Sequence, residues 1–346
     1  MSIFSASIAC FFGMTLFFWP LQARDWEIHL PVCASVAQSL SPDHRTLMMG
    51  DTFGPVLLFD AGSGVFLHAW EMPCKRQYSL AWMPDGKGVL LGDPDAPDAK
   101  ALLLRSKNGS VKRLPGGVHA VAPSPSGRYL ASICYDTLWL ADAKTGQRLR
   151  FFEPPFRTWR LALRNIQLLT WLPGDQLLVI RGGYGVGVPS EVQRLDVTHA
   201  QMQMPIPLPE GAVACSSAMD PIRHALYVGT EDGRLIHLDL EAGRMVSDRK
   251  VGTERIVALS LDAGGRLARW QGMQLLISAP DGHDLAGIPA FRCEETAGWR
   301  PLLAWSGEYL IAAGLAEHSI WKAQRKTFVI SPFQKTDSSR TQDPGS

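Results

Sequence analysis

A short turn that recurs along the chain constrains its fold more than any other sequence feature. Ser124-Pro125-Ser126-Gly127 is followed by the apolar stretch Tyr129-Leu130-Ala131-Ser132 and then by Leu138-Trp139-Leu140-Ala141-Asp142. Proline presets φ at about −65° and glycine tolerates positive φ, so Pro125 and Gly127 favour a tight turn between two strands. The pattern therefore predicts a strand, a tight turn, a strand, a loop and a further strand.

The turn occurs seven times at nearly constant spacing. Successive copies are separated by 42, 41, 48, 48, 42 and 43 residues. A period in the low forties is the length of four short antiparallel strands with their turns, which is one propeller blade. The equivalent positions are five prolines and two degenerate copies, namely Pro42, Pro84, Pro125, Pro173, Pro221, Ala263 and Ser306. Since an apolar strand follows each one, the sequence predicts an all-β fold, a seven-bladed β-propeller of four-stranded antiparallel blades.

A later strand of several repeats ends at an aspartate, as in Leu57-Leu58-Phe59-Asp60 and Leu235-Ile236-His237-Leu238-Asp239. With the spaced turns, this pattern resembles the WD-repeat and related bacterial propeller families over about residues 33 to 325. The family's Trp-Asp dipeptide is replaced, for example by Leu195-Asp196, and no repeat has the Gly-His pair at its usual position. The resemblance implies the architecture and transfers no catalytic residue.

A ring of blades needs a strand that closes it, and two segments are candidates. Trp26-Glu27-Ile28-His29-Leu30 lies near the start of the chain and Thr327-Phe328-Val329-Ile330 near its end. Many propellers of this resemblance use the N-terminal strand, but the sequence does not choose between the two. Residues 334–346 lack apolar side chains, which predicts a disordered tail after a single propeller over residues 24–333.

Residues 1–23 differ from the rest of the chain and are predicted to be a signal peptide. Ile8 to Trp19 form an uncharged apolar run that is too short to span a bilayer comfortably, and Ala23 provides a small residue at a cleavage point. No Lys or Arg precedes the run, so a buried helix or a signal anchor is the alternative. We expect cleavage near Ala23 and a periplasmic or secreted protein with no stable membrane span after cleavage.

Charge and motifs limit the possible functions. The chain has 34 basic and 33 acidic residues, and a net charge of +1 argues against a nucleic-acid binder. Metal-ligand spacings, H-E-x-x-H and G-x-S-x-G are absent from the sequence, so we expect no metal, no cofactor and no catalytic residue. An active site assembled from distant blades would escape this search, so enzymatic activity stays open although the sequence favours a non-enzyme.

Two long intervals between turns locate insertions in blades three and four, at Phe151 to Arg164 and at Arg181 to Ser190. Loops that depart from a repeat usually carry its binding function, and these two connections are expected on the same, top face of the disc. Aromatic and arginine side chains are favoured at interface hot spots. The predicted partner-binding residues are Phe152, Phe156, Arg157, Trp159, Arg160 and Tyr184. The alternative is that the aromatic residues pack between blades.

Other sequence features are given structural interpretations. The glycines from Gly182 to Gly187 predict a flexible hairpin tip, because a phosphate loop needs a different spacing. Cys33 and Cys74 occupy nearly equivalent connections of adjacent blades, so a disulfide between them is conceivable. Cys134 and Cys215 lie inside strand-like stretches and are predicted to be buried thiols.

Together these features favour an exported scaffold that binds another protein through the top-face loops of blades three and four. The alternative is a propeller subunit of a periplasmic enzyme complex, similar to those of quinoprotein amine dehydrogenases. A hydrolase or lactonase-like propeller with a metal in its channel is disfavoured, because the histidines are scattered singly along the chain.

Overall fold

The structure is a computed structural model. It describes residues 24–31, 38–50, 55–71, 79–92, 100–105, 109–115, 120–134, 137–152, 166–181, 190–199, 201–203, 205–290, 302–306, 309–315 and 324–330. All regular elements in these ranges are strands, and none of these residues forms a helix long and apolar enough to cross a membrane.

The strands follow one another along the chain with short connections, mostly in groups of four. The first half of the chain contains β1 (Arg24–Pro31), β2 (Gln38–Leu40), β3 (Thr46–Gly50), β4 (Val56–Asp60), β5 (Phe66–Trp70), β6 (Leu80–Trp82), β7 (Gly88–Gly92), β8 (Lys100–Arg105), β9 (Val111–Pro115), β10 (Ala120–Pro123), β11 (Tyr129–Cys134), β12 (Thr137–Asp142), β13 (Arg148–Phe152) and β14 (Ile166–Leu172). The second half contains β15 (Gln176–Arg181), β16 (Glu191–Asp196), β17 (Gln201–Met202), β18 (Ile206–Pro207), β19 (Ala214–Asp220), β20 (Ala225–Thr230), β21 (Arg234–Asp239), β22 (Arg244–Lys250), β23 (Ile256–Leu261), β24 (Leu267–Gln271), β25 (Gln274–Ser278), β26 (Asp284–Pro289), β27 (Leu302–Ser306), β28 (Tyr309–Leu315) and β29 (Gln324–Ile330).

The described strands form seven antiparallel sheets. Blades one to six are β2–β5, β6–β9, β10–β13, β14–β18, β19–β22 and β23–β26, with β18 added beside β16 in blade four. The remaining sheet, here called the closing blade, has the order β1-β29-β28-β27. The prediction of an all-β propeller built from four-stranded antiparallel blades is confirmed, and each of the seven recurring turns joins the first two strands of one sheet.

The core lies between sheets rather than within one of them. Met48 packs with Trp82 of blade two, whereas its neighbours Leu47 and Met49 pack with Ile311 of the closing blade. Successive residues of a strand point to opposite faces, so a strand between two neighbouring blades is apolar at every position. Each apolar cluster formed by the described residues lies between two neighbouring sheets.

The two terminal segments belong to one sheet, which resolves the question of the closing strand. β29 pairs with β28, and β1 from the start of the chain pairs antiparallel with the free edge of β29. At the other side of the blade, the His44 Nδ1 of blade one lies 2.7 Å from the carbonyl oxygen of Trp305 in β27. The N-terminal strand therefore completes the last sheet, and a side-chain hydrogen bond joins that sheet to the first.

Aspartates at the end of the third strand hold the turn to the fourth strand in four blades. In blade one, the backbone N–H and the hydroxyl of Ser63 donate to Asp60 Oδ1 at 2.8 and 2.7 Å. In blade three, Thr145 makes the same two bonds to Asp142 at 2.7 and 2.9 Å. Because these donors favour the ionised carboxylate, they lower its pKa. The side chain and backbone of His199 lower the pKa of the equivalent Asp196, and the backbone N–H groups of Ala242 and Glu241 lower that of Asp239.

A one-residue bulge interrupts the outer strand of four blades at an equivalent position. The residue pairing shifts by one between the third and fourth strands, which leaves one residue without a cross-strand partner. In all four blades this residue is an exposed aliphatic side chain: Leu67, Leu149, Val246 and Leu285. Each follows a turn glycine by three positions, these glycines being Gly64, Gly146, Gly243 and Gly282.

A buried arginine crosses three strands of blade six. Arg269 is 4% exposed, and its guanidinium donates to Ser278 Oγ at 2.7 Å and to both carboxylate oxygens of Asp284 at 3.0 Å. The Ser278 hydroxyl also donates to Asp284 at 2.7 Å. Burial by itself would raise the pKa of Asp284, but the hydrogen bonds from Arg269 and Ser278 outweigh it and lower the pKa. The network ties β24, β25 and β26 together.

Acidification is expected to destabilise the protein through the turn aspartates. An aspartate in an unfolded chain has a pKa of about 3.9. The folded-state pKa values are lower, so the stability that these groups contribute is present above about pH 4 and is lost as the pH falls through them. The variant Asp60→Asn/Asp142→Asn should therefore lose less of its melting temperature between about pH 5 and pH 3 than the wild type. Circular dichroism melts would measure this difference.

A matched control removes two exposed glutamates instead, in Glu210→Gln/Glu241→Gln. This variant should keep the steep pH dependence of the wild-type melting temperature. Equal slopes in both double variants would show that the turn aspartates do not contribute.

Removing the carboxylate of the blade-six network should leave a buried cation without its counterion. Because the Asp284 side chain is 51% exposed and part of its charge is screened, we expect Asp284→Ala to lower the free energy of unfolding by about 2 kcal/mol. The double variant Arg269→Met/Asp284→Ala should be more stable than Asp284→Ala alone. Urea unfolding of the two variants measures both effects, and strictly additive effects would contradict a coupled pair.

Candidate functional site

The two faces of the disc differ in the connections that they carry. Because the strands of a blade alternate in direction, the first–second and third–fourth turns lie on one face, here called the turn face. The second–third connections and the connections between blades lie on the other, here called the connection face. The predicted site falls on the connection face, since residues 153–165 join β13 to β14 and residues 182–189 join β15 to β16.

Blade four brings the ends of these two connections together. Ile166, Arg181 and Glu191 are in register across β14, β15 and β16, and they lie at the same end of these three strands. The connection of residues 153–165 therefore ends within the width of these three strands. The connection of residues 182–189 both begins and ends there. The side chains predicted to bind a partner, which are Phe156, Arg157, Trp159, Arg160 and Tyr184, lie outside the described residues, as do Cys33 and Cys74.

The structure corrects the predicted start of the first connection. Phe151 and Phe152 are not loop residues: they end β13, where they pair with Trp139 and Leu138 of β12. The prediction placed them in the loop because the repeat length was counted from the turn glycine Gly146. The outer strand, however, continues for six residues beyond that glycine before the chain leaves the sheet.

A buried serine fixes the end of the glycine-rich connection. Ser190 is 1% exposed, and its hydroxyl donates to the carbonyl oxygen of Ala212, which precedes blade five, at 2.5 Å. The backbone N–H of Leu208 donates to the carbonyl oxygen of Ser190 at 2.8 Å. Both bonds hold the segment just before β16 against the connection to the next blade. They give residues 182–189 a rigid endpoint.

A charged cluster on the connection face of blade five is balanced internally. Asp232 accepts hydrogen bonds from Thr230 at 2.6 Å, from Arg234 at 2.9 Å and from Lys250 at 3.1 Å, and Arg234 also reaches Asp248 at 3.3 Å. Burial raises the pKa of Asp232, but these bonds outweigh it and lower the pKa. Two carboxylates face two cations, so the cluster leaves no excess charge.

In the ranges that the structure describes, no three His, Cys, Asp or Glu side chains come together as a metal site would require. Cys215 in β19 is a buried thiol outside any disulfide, as predicted, and its Sγ lies 3.0 Å from Arg255 Nε. Its position between blades five and six is consistent with a packing role.

The sequence-based reasoning missed a basic surface on the rim of blades two and three. Lys112 and Arg113 of β9 are exposed, and so are Lys144 and Arg148 beside and within β13. The Lys112 ammonium donates to the carbonyl oxygen of Lys144 at 2.6 Å, which brings the two blades together at this point. We call these four residues the basic rim. The net charge of the whole chain hides it, whereas a count by segment would have found it.

Comparison with known proteins agrees with the architecture. A protein of Arabidopsis thaliana described as a WD repeat-containing protein 26 homolog is 25% identical to this chain over 245 residues, which cover 60% of this chain and 40% of the relative. The chain thus spans less than half of that protein. No family model matches the sequence. The resemblance to WD-repeat-like propellers is confirmed at the level of architecture.

Loss of the Ser190 hydroxyl should loosen the end of the glycine-rich connection. Ser190→Ala leaves the Ala212 carbonyl without this donor, so we expect the free energy of unfolding to fall by about 1–2 kcal/mol. Urea unfolding measures the loss. Ser247→Ala, in the outer strand of blade five, serves as the control and should change stability by less than about 0.5 kcal/mol. Equal effects of the two substitutions would argue against a fixed endpoint at Ser190.

Proposed function

We propose that this protein is a scaffold that binds another protein through the connection-face loops of blades three and four. The observation that carries the proposal is the register of Ile166, Arg181 and Glu191, because it brings the end of residues 153–165 and both ends of residues 182–189 to the same end of the blade-four strands. Adjacent loops that depart from a rigid repeat are the usual place for a binding site. Their aromatic and arginine residues are types favoured at interface hot spots.

The resemblance to WD-repeat proteins supports the class of function. Propellers of this kind generally bind proteins, and a ring of rigid blades holds many loops in fixed positions.

The proposal includes a closed ring of seven blades in an exported protein. The ring is supported by apolar packing that runs between successive sheets and returns from the closing blade to blade one through Ile311. Export to the periplasm or to the outside of the cell is supported by the apolar run from Ile8 to Trp19 and the small residue at Ala23.

The test is affinity capture from native extracts with the full chain as bait. The variant Trp159→Ala/Arg160→Ala should reduce the yield of the specific partner by about tenfold or more, because truncation of two hot-spot residues commonly costs over 1 kcal/mol each. Quantitative mass spectrometry of wild-type and variant captures gives the ratio. A melting curve of each protein verifies that the fold is retained.

The matched control is Ile222→Ala/Arg223→Ala, an exposed apolar–arginine pair in a turn on the opposite face of blade five. It should retain the partner at the wild-type level. If Trp159→Ala/Arg160→Ala also retains every partner, the assignment to the connection face is wrong.

A further inference from the structure

We propose that the basic rim of blades two and three binds an extended acidic protein segment, which adds to blade two as a fifth strand along β9. This surface is separate from the connection face, and the proposal does not depend on the function proposed above. It rests on three independent features: the distribution of charge along the chain, the geometry of the rim, and the regular pairing of β9.

Charge is segregated along the chain. Residues 99–164 contain twelve of the 34 Lys and Arg residues but only three of the 33 Asp and Glu residues. This segment therefore has a net charge of +9, and the rest of the chain has −8. One acid in the segment, Asp142, is occupied by the turn to Thr145. A chain with a net charge near zero thus contains a strongly basic segment, and such a segment attracts and orients an acidic partner.

The rim gathers part of this charge on adjacent blades. Lys112 reaches the backbone of Lys144, so two ammonium-bearing residues from neighbouring blades lie beside one another. Along β9, Lys112 and Leu114 point toward blade three, where Leu114 is buried, while Val111 and Arg113 point the other way. A strand added beside β9 would therefore place alternate side chains next to Lys112 and Lys144. Carboxylates at alternate positions fit that arrangement.

β9 is also the outer strand best suited to accept another strand. Among the outer strands that the structure describes, β9 alone pairs with its inner neighbour over its whole length without a register shift or a break. Where other blades have an aliphatic bulge residue three positions after the turn glycine, blade two has Lys112. A regular, unbulged edge is a template for β-strand addition, and Pro115, which has no N–H to donate, limits this template to Val111 to Leu114.

The features favour a protein segment over a nucleic acid. Val111 is 40% exposed and Leu149 is 47% exposed, so aliphatic surface lies among the cations. Single-stranded nucleic acids are instead held by a basic groove combined with aromatic stacking platforms. An acidic segment with interspersed β-branched residues would use the charges, the aliphatic surface and the strand edge together.

The experiment measures binding of a labelled ten-residue peptide of alternating Glu and Val to the full chain by fluorescence anisotropy. Binding should weaken as salt is raised. The charge reversal Lys112→Glu/Lys144→Glu should weaken it by about tenfold or more. The control Arg45→Glu/Lys87→Glu changes the net charge equally at exposed positions of the turn face, and it should stay within about twofold of the wild type.

Two further probes test the binding mode on the wild-type protein, so they remain decisive if a variant fails to fold. A peptide of equal charge with two central prolines should bind at least about fivefold more weakly, because proline cannot complete a strand ladder. An oligo-dT strand should bind more weakly than the acidic peptide. The proposal is overturned if the acidic peptide does not bind, if the proline peptide binds equally well, if oligo-dT binds as tightly, or if both charge reversals weaken binding alike.

Discussion

Burial of sheet faces between neighbouring blades is the constraint on which the rest of the structure depends. A single four-stranded sheet has two apolar faces and cannot bury either one alone. In β3, Met48 is buried against blade two, while Leu47 and Met49 are buried against the closing blade. Every blade therefore requires a neighbour on both sides, and an open end would expose an apolar face. The pairing of β1 with β29 and the His44–Trp305 contact meet this requirement at the point where the chain begins and ends.

The same constraint separates residues that are fixed by the ring from residues that are available for binding. Turns must keep strands at constant register, so they are filled with local hydrogen-bonding groups such as Asp60 with Ser63 and Asp142 with Thr145. These acidic groups are occupied within their own turns. On the opposite face, the chain accommodates insertions around blade four. Buried Ser190 shows how an insertion is held at its end while its length is free to vary.

Sequence reasoning recovered the features that are local and repeated. The turn around Pro125, the strand that follows it and the four-stranded blade were predicted because each depends on a few adjacent residues. The closing strand was not chosen, since pairing of β1 with β29 joins residues at opposite ends of the chain and has no local signature. Phe152 was predicted in a loop but lies at the end of β13, where it pairs with Leu138. Repeat spacing indicates which interval contains an insertion, but it does not indicate the residue at which strand pairing stops. The basic rim was missed because the net charge of +1 is the sum of a basic segment, residues 99–164, and an acidic remainder of the chain.

Ring architecture also decides where a partner strand can add. In the described part of the chain, the outer strand of each blade pairs with a strand on one side only, so its other edge is a place where a further strand can add. In four blades a bulge at Leu67, Leu149, Val246 or Leu285 breaks the ladder on the edge strand, which guards the edge against further pairing. Blade two has no such bulge and carries Lys112 and Arg113 on its edge instead. Like charges oppose addition of another basic strand but attract an acidic one, so the edge that is geometrically open is selective by charge rather than by shape.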